Sequence, residues 1–155
     1  MRTAAIASVT LLLAGVCPAL ATGNLSCHFG DRNLKFGAEA TYSYGVGEGF
    51  VSFGGTLEVL AKGAPDDLRT LDLDLPHLTQ RWLYANDLKL RLYRERKDPA
   101  PHGYVELVIE AKQASKRNDE IDYRGTYVLT LYHLPDGRAE GKTVTLRGQA
   151  RCSVG

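Results

Sequence analysis

Few residues in this 155-residue chain have the types and spacing to do chemistry. Asp72 and Asp74 stand two apart, which puts both carboxylates on one face of a strand, and His77 follows just beyond Pro76. That is the beginning of a cation site. An oxygen-rich site needs more ligands, however, and alternating acids on a strand ordinarily serve only to solvate it. His28, His102 and His133 share no ligand spacing with one another or with paired cysteines. A hydrolase would need His77 or His133 in a cleft beside carboxylates of perturbed pKa, and no motif asks for that arrangement. The sequence holds no nucleophile elbow and no Cys-x-x-Cys pair. Gly45-Val46-Gly47-Glu48-Gly49 leads into a strand pattern, so a turn needing positive φ explains its glycines better than a phosphate does. We assign no catalytic residue, no metal ligand and no cofactor.

Two sets of side chains suit binding instead. Lys89, Arg91, Arg94, Arg96 and Lys97, interleaved with Tyr93, form a local basic stripe that would meet an envelope protein or an anionic polymer. Its ordinary explanation is a solvated strand balanced by Asp119, Glu120 and Asp122 on a neighbouring element. The second set comes from the eight tyrosines, of which Tyr42, Tyr44, Tyr123 and Tyr127 fall on apolar faces. A buried phenol needs a partner for its hydroxyl, so these four either line an amphipathic pocket or fill core. Gly55, Gly125 and Gly148 on inward faces leave room for a ligand or for the rings opposite. Filled core is the default in a small barrel.

The first twenty-one residues have the form of a secretory signal: Arg2, an apolar run through Ile6, Val9, Leu11, Leu12, Leu13 and Val16, and the small-x-small Ala19-Leu20-Ala21. A membrane-spanning helix needs about 20 continuous apolar residues, and Thr10, Gly15 and Pro18 interrupt a shorter stretch. Cys17 allows a lipid anchor, but Val16 occupies a position where a small residue is expected. Cleavage after Ala21 leaves Cys27 and Cys152, which admit one pairing in an oxidising compartment. A loop of that length gives roughly 4 to 5 kcal/mol in the chain-entropy estimate. The expected location is periplasmic or secreted. Loss of Arg2 brings the 19 basic residues level with the 18 acidic ones, so whole-molecule attraction to nucleic acid or an anionic membrane is not expected.

The elements that must position these residues are strands. Period-two alternation dominates residues 22–155, which form one domain. Leu34 to Tyr44 alternates cleanly, and Val51, Phe53, Gly55, Leu57, Val59 and Ala61 make a second inward series. Leu71, Leu73 and Leu75 precede Pro76. Leu78, Trp82 and Leu83 share a helical face, so the spacing allows a short helix or irregular crossover from His77 to Asn86. Leu88, Leu90 and Leu92 resume the strand period, followed by a loop from Asp98 to Gly103 and the series Val105, Leu107, Ile109 and Ala111. The polar run Gln113 to Glu120 reads as a flexible connection. Tyr123 to Leu131, a turn at Pro135-Asp136-Gly137 and Val144 to Cys152 form a terminal hairpin.

With a first strand around Leu25 to Phe29, the pattern predicts about eight strands in an all-β antiparallel barrel or sandwich. A disulfide between Cys27 and Cys152 would link the first strand to the last. The expected function is noncatalytic binding of a protein or polyanionic partner in the cell envelope. The alternative is a carrier of a small amphipathic ligand, similar to lipocalins in architecture, with the four tyrosines inside an open cavity.

Overall fold

The computed structural model describes residues 22–43, 49–97, 99–135 and 139–155. The expected signal segment, Tyr44 with the glycine-rich turn through Glu48, Asp98 and the Asp136-Gly137 turn lie outside those residues.

Among the described residues, nine antiparallel strands form one sheet that curls into a nearly closed barrel. In chain order they are β1 (Thr22–Gly30), β2 (Leu34–Ser43), β3 (Gly49–Val59), β4 (Thr70–Asp74), β5 (Leu78–Tyr84), β6 (Asp87–Glu95), β7 (Gly103–Arg117), β8 (Glu120–His133) and β9 (Lys142–Val154). Their order in the sheet is β4-β3-β2-β1-β9-β8-β7-β6-β5. Alternation sends Leu34, Leu57, Leu88, Leu90, Leu92, Leu107, Ile109, Leu129 and Leu131 inward, each at most 2% exposed. Burying a leucine is worth about 1.5–3 kcal/mol, so this single core dominates the stability of the fold. Leu68, from the 3-10 turn Asp66–Leu68, also joins the core.

Four sequence expectations need correction. Residues 77–86 hold no α-helix: a 3-10 turn at Leu75–His77 is followed by β5, the ninth strand that the alternation missed. The cause is a bulge between Leu78 and Gln80. It shifts the side-chain phase, so that Leu78 faces Leu92 while Arg81 and Leu83 face Leu90 and Leu88, mimicking a helical spacing. β4 accordingly ends at Asp74, and Leu75 belongs to the turn. Val51 points outward and is 63% exposed, because Thr41 pairs with Ser52 but Tyr42 with Phe50, leaving Val51 as the extra residue of a second bulge. Phe50 takes the inward place. Finally, Gln113 to Glu120 is no loose connection. β7 and β8 stay paired out to Arg117 and Glu120, closed by Asn118 at φ 53° and Asp119.

Closure is uneven around the barrel. β1 pairs with β9 only from Leu25–Cys27 to Cys152–Val154, extended by two backbone bonds between Asn24 and Gly155. Cys27 and Cys152 are directly opposite, 4.1 Å apart at Cα, and are disulfide-bonded as their inward parity predicts. The disulfide fits an oxidising compartment. No helix among the described residues is long and apolar enough to cross a membrane. On the far side, the short chain from β4 through Pro76 to β5 changes partners: β4 pairs with β3, and β5 pairs with β6.

Candidate functional site

Period two divides the basic stripe of β6 between the two faces of the sheet. Lys89, Arg91 and Tyr93 point outward, while Arg94 and Arg96 share the inward phase of Leu88, Leu90 and Leu92. The structure also supplies partners other than those the sequence suggested. Lys89 Nζ meets Glu110 Oε1 at 3.2 Å, Arg91 Nε donates to Glu106 Oε1 at 2.6 Å, and the Tyr93 hydroxyl donates to Glu95 at 3.1 Å. Arg94 donates to the Asp72 carbonyl on the edge of β4. Arg96 is nearly buried and grips both Asp67 oxygens, at 2.5 and 3.0 Å, and the Pro101 carbonyl at 2.8 Å. Lys97 alone has no such partner among the described residues. Asp119, Glu120 and Asp122 do not balance this stripe; Glu106, Glu110 and Asp67 do, because register places β7 and the 66–68 turn beside β6.

A different basic cluster is assembled by the ladders. Lys112 on β7 is directly opposite Arg124 on β8, which is directly opposite Arg151 on β9. All three are exposed, and none makes a side-chain hydrogen bond or ion pair among the described residues. With strands about 4.8 Å apart, the row spans about 10 Å of the outer face. Like charges directly opposite repel, so the row raises the free energy of the isolated protein. Acids bound it on three sides: Asp87 lies across from Lys112, Glu110 pairs with Lys89, and Asp122 accepts from the Ser115 hydroxyl at 2.6 Å. Sequence reasoning missed this cluster because its members are far apart in the chain. Only the registers of β7, β8 and β9 reveal it.

The same face carries an aromatic border. Tyr84 is opposite Asp87 and Trp82 opposite Lys89, so these rings lie beyond the acidic end of the basic row. Trp82 is 55% and Tyr84 71% exposed, with ring centroids 5.9 Å apart. Beside them an open groove of about 830 Å³ runs over Gln80, Arg91, Glu106 and Glu110.

Of the four tyrosines singled out for a ligand pocket, Tyr44 lies outside the described residues, and the other three are buried. Tyr42 packs on Phe50 at 5.9 Å, and Tyr123 is 2% exposed. Tyr127 is 1% exposed and stacks on Phe29 at 5.6 Å. Its hydroxyl donates to Asp31 Oδ2 at 2.7 Å and lies 3.4 Å from the Asn33 amide nitrogen, which also donates to the Arg147 carbonyl at 3.2 Å. Burial, reinforced by the Asp31 hydrogen bond, pushes the Tyr127 phenol up to about 12. Burial alone would raise Asp31, but hydrogen bonds from Tyr127 and from the amides of Asn33 and Leu34 hold it below the usual carboxylate range. The inward glycines make room for protein atoms. A Cβ on Gly125 would lie 1.9 Å from the Glu110 carbonyl oxygen, one on Gly55 2.6 Å from that of Gly37, and one on Gly148 2.5 Å from the Tyr127 ring.

Asp74 and His77 contact each other and close the 3-10 turn, with the Asp74 amide 3.1 Å from His77 Nδ1; Asp72 is not part of that contact. No group able to hold a metal occurs among the described residues. On the face of β1 and β2, Ser26 and His28 both bond Glu39 Oε1, at 2.8 and 2.7 Å. The His28 contact is the main cause that holds the Glu39 carboxyl low. This trio has the composition of a catalytic triad without its order. The carboxylate sits between serine and histidine, so His28 makes no bond that would take the Ser26 proton. No protein-family model matches the chain, and no curated protein or solved structure matches it significantly.

Proposed function

We propose that this is an exported, noncatalytic binding protein whose outer sheet face engages an acidic patch on an envelope protein. The observation that carries the reading is the row Lys112, Arg124 and Arg151, three exposed cations held side by side without side-chain partners among the described residues. Such a row costs the free protein stability and gains it back against an anionic surface. Its short span and its border of Asp87, Glu110 and Asp122 favour a localised acidic patch over a continuous polyanion, which would meet those carboxylates. Trp82 and Tyr84 supply the kind of aromatic contact on which interfaces concentrate their energy. Export rests on the Arg2 to Ala21 segment and on the Cys27–Cys152 disulfide.

The test is affinity capture from an envelope extract, comparing the native protein with Arg124→Gln/Arg151→Gln and with Lys89→Gln. The first variant should lose the partner, and the native complex should dissociate as salt rises. The second should retain it. Capture that survives neutralisation of Arg124 and Arg151 would overturn the reading.

A further inference from the structure

β4 and β5 are the two edges of the sheet, yet they are closed differently. β4 pairs with β3 over Gly54–Glu58, and its other edge is met by side chains: Arg94 on the Asp72 carbonyl and Arg96 on Asp67 just before it. β5 pairs with β6, and its other edge faces the first half of β3, Gly49 to Phe53, which pairs only with β2. No backbone hydrogen bond joins these two stretches among the described residues. They border an open groove of about 520 Å³. Every second residue of such an edge turns its N–H and C=O away from the neighbouring strand, leaving a template for another strand.

The side chains beside this template point to its occupant. Val51, Trp82 and Tyr84, the most exposed large apolar residues among those described, all lie on the two strands that flank the groove. From Thr79 to Tyr84 the edge contains no proline, lysine or acid, so the bulge at its start and the inward charge of Arg81 are the features that restrict which strand can pair with it. Its one charge is Arg81, on the inward phase, with its guanidinium 6.0 Å from the Phe50 ring and no acidic partner among the described residues. A cation in that position rejects a purely apolar or basic strand and accepts one that brings a carboxylate.

We propose that the outer edge of β5, residues 79–84, receives an added extended strand from a partner polypeptide, with an acidic side chain of that strand meeting Arg81. Main-chain bonds to β5 supply affinity, Trp82 and Tyr84 pack the strand's outward side chains, and Arg81 selects its charge. This site does not rest on the basic row, which belongs to β7, β8 and β9.

Amide hydrogen exchange of the protein is followed by NMR with three soluble peptides of alternating threonine and valine: one with a central glutamate, one with a central lysine, and an N-methylated copy of the first. With the glutamate peptide at about ten times its Kd, the outward amides of residues 79–84 should exchange about tenfold more slowly. The N-methylated copy should have no effect, and Arg81→Glu, at an exposed position, should switch preference to the lysine peptide. The proposal is overturned by equal protection from the N-methylated copy, by equal binding of the two charge types, or by no protection at millimolar peptide. Slow exchange of these amides in the free protein, or protection that grows with protein concentration alone, also overturns it, since the edge would then be covered by the chain itself or by a second copy. Protection confined to Lys112, Arg124 and Arg151 would overturn the strand site and leave the basic-row reading standing. Loss of capture by the Arg124→Gln/Arg151→Gln variant bears only on that row.

Discussion

Tyr127 reaches past Gly148 and donates a hydrogen bond to Asp31, 2.7 Å away and 96 residues distant in sequence. Gly148 is directly opposite Tyr127 on β9, and a Cβ there would lie 2.2 Å from Asp31 Oδ2. The bond therefore depends on that glycine. With the Asn33 contact to Arg147, it ties the turn after β1 to β8 and β9 along the stretch where β1 and β9 are no longer paired.

This tie makes stability depend on pH at the alkaline end. The Tyr127 phenol is raised from 10.0 to about 12, so the fold favours the neutral form. Its contribution is complete below the unfolded value of 10.0, shrinks as pH climbs, and is gone above about 12. Tyr127→Phe should cost about 1–2 kcal/mol at neutral pH. In urea titrations the variant and the native protein should converge above pH 12. A constant difference across the alkaline range would contradict this. Asp31 acts oppositely: its lowered carboxyl contributes above the unfolded value of 3.8, and that contribution is lost as pH falls through the folded one.

The disulfide stands at the last rung of the short β1–β9 ladder, where the strands part. It closes a loop of 125 residues, and Cys27→Ala/Cys152→Ala should lower the unfolding free energy by about 2–5 kcal/mol. Denaturation with and without reductant measures this. Hydrogen exchange should show the loss first at Ser26 and Ser153, the pair beside the bridge.

The basic row predicts a gain of stability from a lost charge. Arg124 has a like charge opposite it on both sides, so Arg124→Gln should stabilise the isolated protein by about 0.5–1 kcal/mol at low ionic strength. Thermal melts at low and high salt should show the gain fade as the charges are screened. A variant less stable than the native protein at low salt would mean that Arg124 has a favourable partner.

The glycines of the sheet are not equivalent. Gly125→Ala drives a Cβ into the backbone of β7 and should cost about 3 kcal/mol or more, since neither strand can yield without breaking its ladder. Gly54 has nothing within 4 Å of its Cβ position, and Gly54→Ala should shift stability by less than about 1 kcal/mol. Paired urea melts compare the two.

Alternation and cysteine parity were enough to read the all-β class, most inward faces and the Cys27–Cys152 pairing, because each depends on local geometry or on simple counting. The series Leu88 to Leu92, Val105 to Ala111 and Tyr123 to Leu131 lie inward as their period requires. What escaped that reading turns on irregularity or on register. One extra residue near Leu78 and another at Val51 change the phase of a strand, and a bulge leaves no mark in a pattern of apolar residues. The β6 stripe reads as one basic surface along the chain, yet a strand sends Arg91 and Arg94 to opposite faces, and β7 supplies the acid that neutralises Arg91. Lys112, Arg124 and Arg151 become neighbours only through two successive ladders, whose registers are set by turns and core packing over the whole sheet. One chain segment determines which side of its strand a residue occupies; what stands beside it is decided by another strand, and hence by the tertiary fold.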